Sequence, residues 1–270
     1  MSAPSAAPVA TTSLWQGGRL VPREDCDVVP ATIQAADSWL VEDGTVRGLE
    51  LHRERFLGAV PDAQLPEALV FWDAAIAALP RTGSWFPRVE LRTQLQSPQL
   101  LFRLREAPVQ QRSLILTTHA GRDPRTHPTV KGPDLPAMIR LRTEAQTRGA
   151  DEAVIVSPEG WIVEGSTTSI CWWAGGTLCI PERSLARIAS VTERTVVTLA
   201  TALGVEVAEL RVRPEELDGS EVWALNALHG IRIATAWQGG PPSTAEEPGR
   251  LSRWRLRLDA LRRPLPEDAA

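Results

Sequence analysis

The chain has no tyrosine, and only one of its 29 basic residues, Lys131, is a lysine. The first absence means that no phenol can act as acid, base or cofactor ligand anywhere in the protein. The second leaves a single side-chain amine. Exposed cations exchange between Lys and Arg at little cost, because both carry a hydrated charge on a long stem. Arginine cannot lose its proton and attack a carbonyl, so chemistry that needs a free amine holds a lysine where composition would otherwise remove it. By count alone, chance survival is the equal alternative, and the flanking sequence has to decide.

Cysteine is also scarce. Cys26, Cys171 and Cys179 lack metal-ligand spacing and are odd in number, which leads us to expect no metal site and a reducing cytoplasm. The four histidines show no zinc-site spacing either, and neither a Gly-rich nucleotide loop nor a GxSxG elbow occurs. No apolar run approaches the roughly 18 residues of a membrane span. A net charge of −4 without long like-charge runs argues against a nucleic-acid binder. MSAPSAAPVATTS (1–13) has neither a charged leader region nor a long apolar core, so it is expected to be a disordered tail and not a signal peptide.

What is present reads as α/β (α+β) in two domains. Segments 38–42 and 45–51, joined through Asp43-Gly44, read as a hairpin. Apolar positions at helical spacing over 63–79 stop at Pro80. Segments 88–92, 101–105 and 113–117 read as strands, completing a small N-terminal domain over 14–120. GRDPRTHP (121–128) is rich in turn formers and reads as the interdomain loop. The larger domain, 129–270, starts with Lys131 and a helix from near Asp134 to Gly149. A β-meander over 153–181 follows, then a helix over 191–203, strands at 205–212 and 221–233, and a last helix over 250–263. That last helix carries Leu251, Trp254, Leu258 and Leu261 on one side and reads as a docking helix with a solvated arginine face.

Four places besides Lys131 could carry chemistry. Ser190-Val191-Thr192-Glu193 is a capping-box pattern whose first turn offers free amides to a phosphate, or simply caps its helix. Glu164 ends a strand ahead of small polar residues. It could hold a protonated pyridine nitrogen, or face solvent. Arg55, in HRERF (52–56), could clamp a phosphate, although it is one arginine of 28. NALHG (226–230) could present Asn226 and turn amides to an anion. His229 in that turn reads as structural, as do His119 and His127.

Lys131, then ADEAVIVSPEGWIVEG (150–165), SVTER (190–194) and NALHG (226–230), resemble in order and content the class IV aminotransferases. These are the fold-type IV pyridoxal 5'-phosphate (PLP) enzymes, which include branched-chain and D-amino-acid aminotransferases and aminodeoxychorismate lyase. HRERF is similar to the family's His-x-x-Arg-Leu segment, and the resemblance spans about residues 30 to 235. It implies a small α/β domain, a larger pseudo-barrel domain, PLP as cofactor and a homodimer acting on a small amino substrate. Lys131 would then be the catalytic Schiff-base lysine and Glu164 the partner of the pyridine nitrogen. Arg55, Val191 and Thr192 would hold the phosphate, and Asn226 and Ala227 would complete the phosphate and substrate-carboxylate end.

The short length, the EGWxxE stretch (159–164) and the NAL turn most resemble aminodeoxychorismate lyase, which eliminates pyruvate to give p-aminobenzoate. The other activities the resemblance implies are a D-amino-acid or branched-chain transaminase, or a non-catalytic member. Three departures stand out. AADSW (35–39) replaces a Gly-Asp-Gly segment, the transaminases' tyrosines are missing, and Glu193 stands where arginine is usual, adding negative charge near the expected phosphate.

Overall fold

The computed structural model describes residues 10–23 and 31–266. Cys26 and residues 1–9 of the expected tail lie outside them. The chain divides into two units, Met1–Val109 with Arg262–Ala270, and Gln110–Leu261.

In the first unit β1 (Ala10–Gln16) and β2 (Arg19–Arg23) form a hairpin. Ala10–Ser13, expected in the tail, are strand residues, and those from Ala10 to Leu14 pair with a later strand. After β3 (Thr32–Ser38), β4 (Val41–Glu42) and β5 (Thr45–Val46) flank Asp43-Gly44, whose φ of 44° and 69° are those of the tight turn expected there. The strand expected to run on to residue 51 stops early. Gly48, at φ 59°, leads into α1 (Leu49–Leu57), where His52 and Phe56 fall one helical turn apart and are both buried. Next come α2 (Leu65–Ala77), β6 (Ser84–Trp85), β7 (Arg88–Gln94) and β8 (Ser97–Arg105). The main sheet has the order β2-β1-β8-β7-β3, all antiparallel. Its inner side chains, among them Trp15, Val89, Leu91 and Phe102, share a core with Phe56 of α1 and with Phe71 and Trp72 of α2.

The second unit comprises β9 (Ser113–Thr118), α3 (Leu135–Thr147), β10 (Glu152–Val156), β11 (Ile162–Gly165), β12 (Ser169–Ala174), β13 (Thr177–Pro181), α4 (Val191–Ala202), β14 (Val207–Leu210), β15 (Glu221–Asn226), β16 (Gly230–Gln238) and α5 (Arg250–Asp259). Its eight strands run β11-β10-β9-β16-β15-β12-β13-β14, a mixed sheet. Ile162 N, beside one end, donates to Val212 O just past the other at 2.9 Å, so the sheet curls into a pseudo-barrel. The expected meander is therefore two hairpins, β10–β11 and β12–β13, with β9, β16 and β15 between them.

Strand β9 also moves the division of the chain. It pairs in parallel with β10 and β16 and so belongs to the second unit. The units part between residues 109 and 110, and 121–128 lies within the second. On α5, Leu251, Trp254 and Leu258 are buried, and Trp173, Trp223 and Trp254 meet edge to face at 5.3–5.8 Å, as a docking helix requires. Last, β17 (Arg263–Pro264) returns to the first unit, giving a small sheet of order β17-β5-β4-β6. No helix among the described residues is long and apolar enough to cross a membrane.

Candidate functional site

Lys131 lies in the turn just before α3 and is half-buried. Asp134 ties this turn back to the preceding loop. Its Oδ1 accepts from Thr126 N at 2.9 Å and from Thr126 Oγ1 at 2.8 Å, and its Oδ2 accepts from His127 N at 2.7 Å. These bonds outweigh burial and hold the Asp134 carboxyl below its ordinary range. The loop of irregular sequence is thus closed on itself, with the lysine inside the closure.

Glu164, on the strand next to β10 at the end of the sheet, is only 5% exposed. Burial pushes its carboxyl up to about 7, against the pull of Arg125, the Ile188 amide, Arg187 and Lys131. Lys131 and Glu164, far apart in sequence, therefore act on one another electrostatically. Arg125 is the nearest cation. It donates to Glu164, to Asp123 Oδ2 at 2.7 Å and to Ala186 O at 3.1 Å. Ile188 N approaches Glu164 Oε2 at 3.3 Å, which places the carboxylate beside the segment leading into α4.

Ser190 caps α4, its Oγ accepting from Glu193 N at 3.2 Å. The cap leaves the amides of Val191 and Thr192 at the open, positive end of the helix. Glu193 does not place an unbalanced charge there. Arg187 Nη1 donates to both of its oxygens at 2.8 Å, and the pair is buried. Asn226 closes the β15–β16 hairpin opposite Gly230. Its Oδ1 accepts from His229 N at 2.8 Å, and Ala227 follows it in the turn. His229 Nδ1 accepts from Gln111 N at 3.1 Å. Burial, with Arg232, Arg142 and Arg255 nearby, pushes this imidazole down to about 4, so it is a neutral structural pin, as its turn position suggested. The second unit thus gathers Lys131, Glu164 and the α4 start at one locus. The Asn226 turn sits one strand from β12, which follows the Glu164 segment.

Arg55 belongs to the first unit and is held there by a residue not singled out in the sequence. Asp37 on β3, fully buried, accepts from Arg55 Nε and Nη2 at 2.8 Å each and bonds His52 Nδ1 at 2.8 Å. Burial opposes its ionisation, but Arg55 and His52 overcome this and keep its carboxyl well below the usual carboxylate range. Asp37 is the middle residue of AADSW. Its signal was the one charged residue in an otherwise uncharged strand.

We expect Asp37→Asn to cost about 3 kcal/mol at pH 7, since it leaves the mostly buried Arg55 guanidinium without its counter-charge. A depressed folded-state pKa stabilises above the unfolded value near 3.9, and that contribution is lost as pH falls through the folded value. Urea unfolding of wild type and variant should therefore differ at pH 7, keep most of that gap at pH 3 and converge only at still lower pH. A gap already closed at pH 4 would mean that the Asp37 carboxyl is not held down by its partners.

Arg125 and Arg187 also escaped the sequence reading. Arginine is common in this chain, and nothing local marks which copies are buried.

A family model described as amino-transferase class IV matches residues 34–237. A branched-chain-amino-acid aminotransferase from Pseudomonas aeruginosa is 31% identical over 138 residues, 47% of this chain and 44% of that protein. The chain spans less than half the length of the curated relatives it matches. Among solved structures, a branched-chain aminotransferase from Thermoproteus uzoniensis with norvaline superposes with a TM-score of 0.76 at 19% identity, covering 95% of this chain and 100% of that one. A hypothetical aminotransferase from Mycobacterium tuberculosis in its PLP-bound form gives 0.74 at 16% identity, covering 94% and 98%. These two likenesses establish the fold, and the sequence match over most of the length establishes the lineage: the chain belongs to the class IV amino-transferase family.

Proposed function

We propose that this protein is a pyridoxal-phosphate enzyme that acts on the amino group of a small amino acid, as an aminotransferase. The observation that carries this reading is Lys131, the sole side-chain amine, set in the electrostatic reach of the buried Glu164 carboxylate. The donor set fits the cofactor. A buried carboxylate with a raised affinity for a proton suits a ring nitrogen that must keep one between them. Open amides at a helix start, with the Thr192 hydroxyl, suit a phosphate.

Pyridoxal phosphate, when bound, supplies an aldehyde for an amine to join and a ring that draws electrons from the substrate α-carbon. Lys131 would hold it covalently at rest. Once released by the incoming amine, Lys131 Nζ would take and return the α-proton. Glu164 would fix the proton on the ring nitrogen, with Arg125 holding the carboxylate in place. Val191 and Thr192 would bind the phosphate, and Asn226 and Ala227 its far side and the substrate carboxylate. Arg55 is assigned to the phosphate on the sequence resemblance. A cytoplasmic homodimer is the form we propose.

The names of the curated relatives favour transamination of branched-chain amino acids over the lyase reaction that the sequence most resembled. One observation keeps aminodeoxychorismate lyase as the second reading: the absence of any tyrosine. Incubating the purified protein with L-leucine, L-glutamate or D-alanine, without a keto-acid acceptor, separates the two. Transamination converts the yellow band to that of the cofactor's amine form. An unchanged band, with pyruvate released from aminodeoxychorismate, would establish the lyase, and a colourless protein that takes up no cofactor would end both readings.

A further inference from the structure

Arg232 is buried to 1% exposure, and its Nε, Nη1 and Nη2 all lack a hydrogen-bond partner. Its place in the sheet gives this meaning. In the β15–β16 hairpin Arg232 stands opposite Ala224, and Gly230 stands opposite Asn226. Side chains two apart share a face, so Arg232 and Asn226 lie on the same side of the sheet, with only a side-chain-free glycine in the row between Arg232 and the turn. Ala224 and Ala234, on that face, belong to the core inside the curl, whereas Ile231 and Ile233 face the core with α5. A cation without an acceptor therefore points into the barrel, close to the locus of the proposed site.

Nearby carboxylates are already committed. Glu152 attracts Arg232, but its own oxygens accept from Ser166 Oγ, from Thr167 N at 3.0 Å and from Thr167 Oγ1. The Asp151 carboxylate accepts from Ile115 N through Oδ2 at 2.8 Å. The other charged group acting on Arg232, Arg142, is itself a cation. A second orphan borders the same carboxylate, the buried hydroxyl of Thr168. A Cβ at Gly165 would collide with Thr168 Oγ1 and press on Glu152 Cγ at 3.2 Å, so the two side chains flank one spot. A desolvated guanidinium with its whole fork unused is matched by an oxyanion, which supplies both charge and paired acceptors.

We propose that Arg232 is an oxyanion-binding residue on the inner face of the second unit, taking a carboxylate or phosphate group of a bound small molecule. This role does not require the cofactor assignment. It needs only the second unit's sheet.

The test is thermal unfolding of the full-length protein, wild type and Lys131→Ala, with inorganic phosphate, acetate or glutarate added to about 20 mM against chloride at matched ionic strength. The expected result is a rise in melting temperature of about 5 °C with phosphate or with a carboxylate, present in both proteins and reduced to about 1 °C in Arg232→Met. Phosphate alone acting would identify a phosphate receptor, and acetate or glutarate acting would identify a carboxylate receptor. Persistence of the rise in Lys131→Ala separates this site from covalent cofactor attachment. The same rise in Arg232→Met, or no rise in wild type, overturns the proposal and leaves the guanidinium to ordered water. Should Arg232→Met fail to fold, Arg232→Lys keeps the charge without the fork, and it should weaken apparent oxyanion affinity at least about tenfold. Unchanged affinity in that variant also overturns the proposal.

Discussion

Lys131→Ala is expected to abolish the yellow absorbance of the purified protein and to lower turnover by about 10,000-fold or more, the scale of losing a nucleophile that is also the general base. Folding should be preserved. Lys131 is half-buried in a turn that Asp134 closes through its bonds to Thr126 and His127. The unfolding free energy of the variant should therefore change by no more than about 1 kcal/mol. Lys131→Arg is the sharper variant. It keeps a positive charge near Glu164, so a purely electrostatic role for Lys131 would survive it. A guanidinium cannot deprotonate to join an aldehyde, so the proposed role predicts the same loss as alanine. Borohydride reduction followed by mass analysis should fix the cofactor to residue 131 in wild type and nowhere in either variant. An intact band in Lys131→Arg would sink the assignment.

The parts of this site that the sequence disclosed are those carried by short-range pattern. Ser190 and Glu193 form a cap three residues apart, and the structure keeps that bond. Asp43-Gly44 and the Asn226–Gly230 turn are local backbone events marked by their residue types. Residues whose roles depend on distant partners were not legible. Asp37 meets Arg55 across 18 positions and Arg125 meets Glu164 across 39, and no local periodicity reports either pairing. Strand order fails for the same reason. The hairpins β10–β11 and β12–β13 look like one meander because each is locally correct, while the parallel pairing of β9 with β10 and β16 that separates them is long-range. Glu193 shows how a substitution can mislead when its partner is unseen. Its negative charge looked hostile to a phosphate at the helix start, but Arg187 neutralises it within the protein.

Glu164→Gln should act in opposite directions on the cofactor-free and the cofactor-bound protein. In the free protein burial raises the Glu164 carboxyl to about 7, above the value near 4.3 of an unfolded chain. A raised folded-state value means that the protonated form is the one that fits. Its stabilising contribution is complete below about 4.3 and is lost as pH rises towards about 7. Above that, the ionised buried carboxylate costs on the order of a few kcal/mol. Glutamine removes this titration, so the difference in stability between variant and wild type should grow from pH 4 to 8, with the variant the more stable at pH 8. Arg125 should tolerate the change because Asp123 and Ala186 O still accept from it. With the cofactor present the order reverses. A ring nitrogen that carries a proton needs the carboxylate and gains little from an amide, so turnover should fall about 100- to 1,000-fold. Urea unfolding of the cofactor-free pair across pH 5 to 8, beside their turnover numbers, reads both effects. Parallel stability curves would show that Glu164 does not titrate in this range, and unimpaired turnover would remove it from the ring nitrogen.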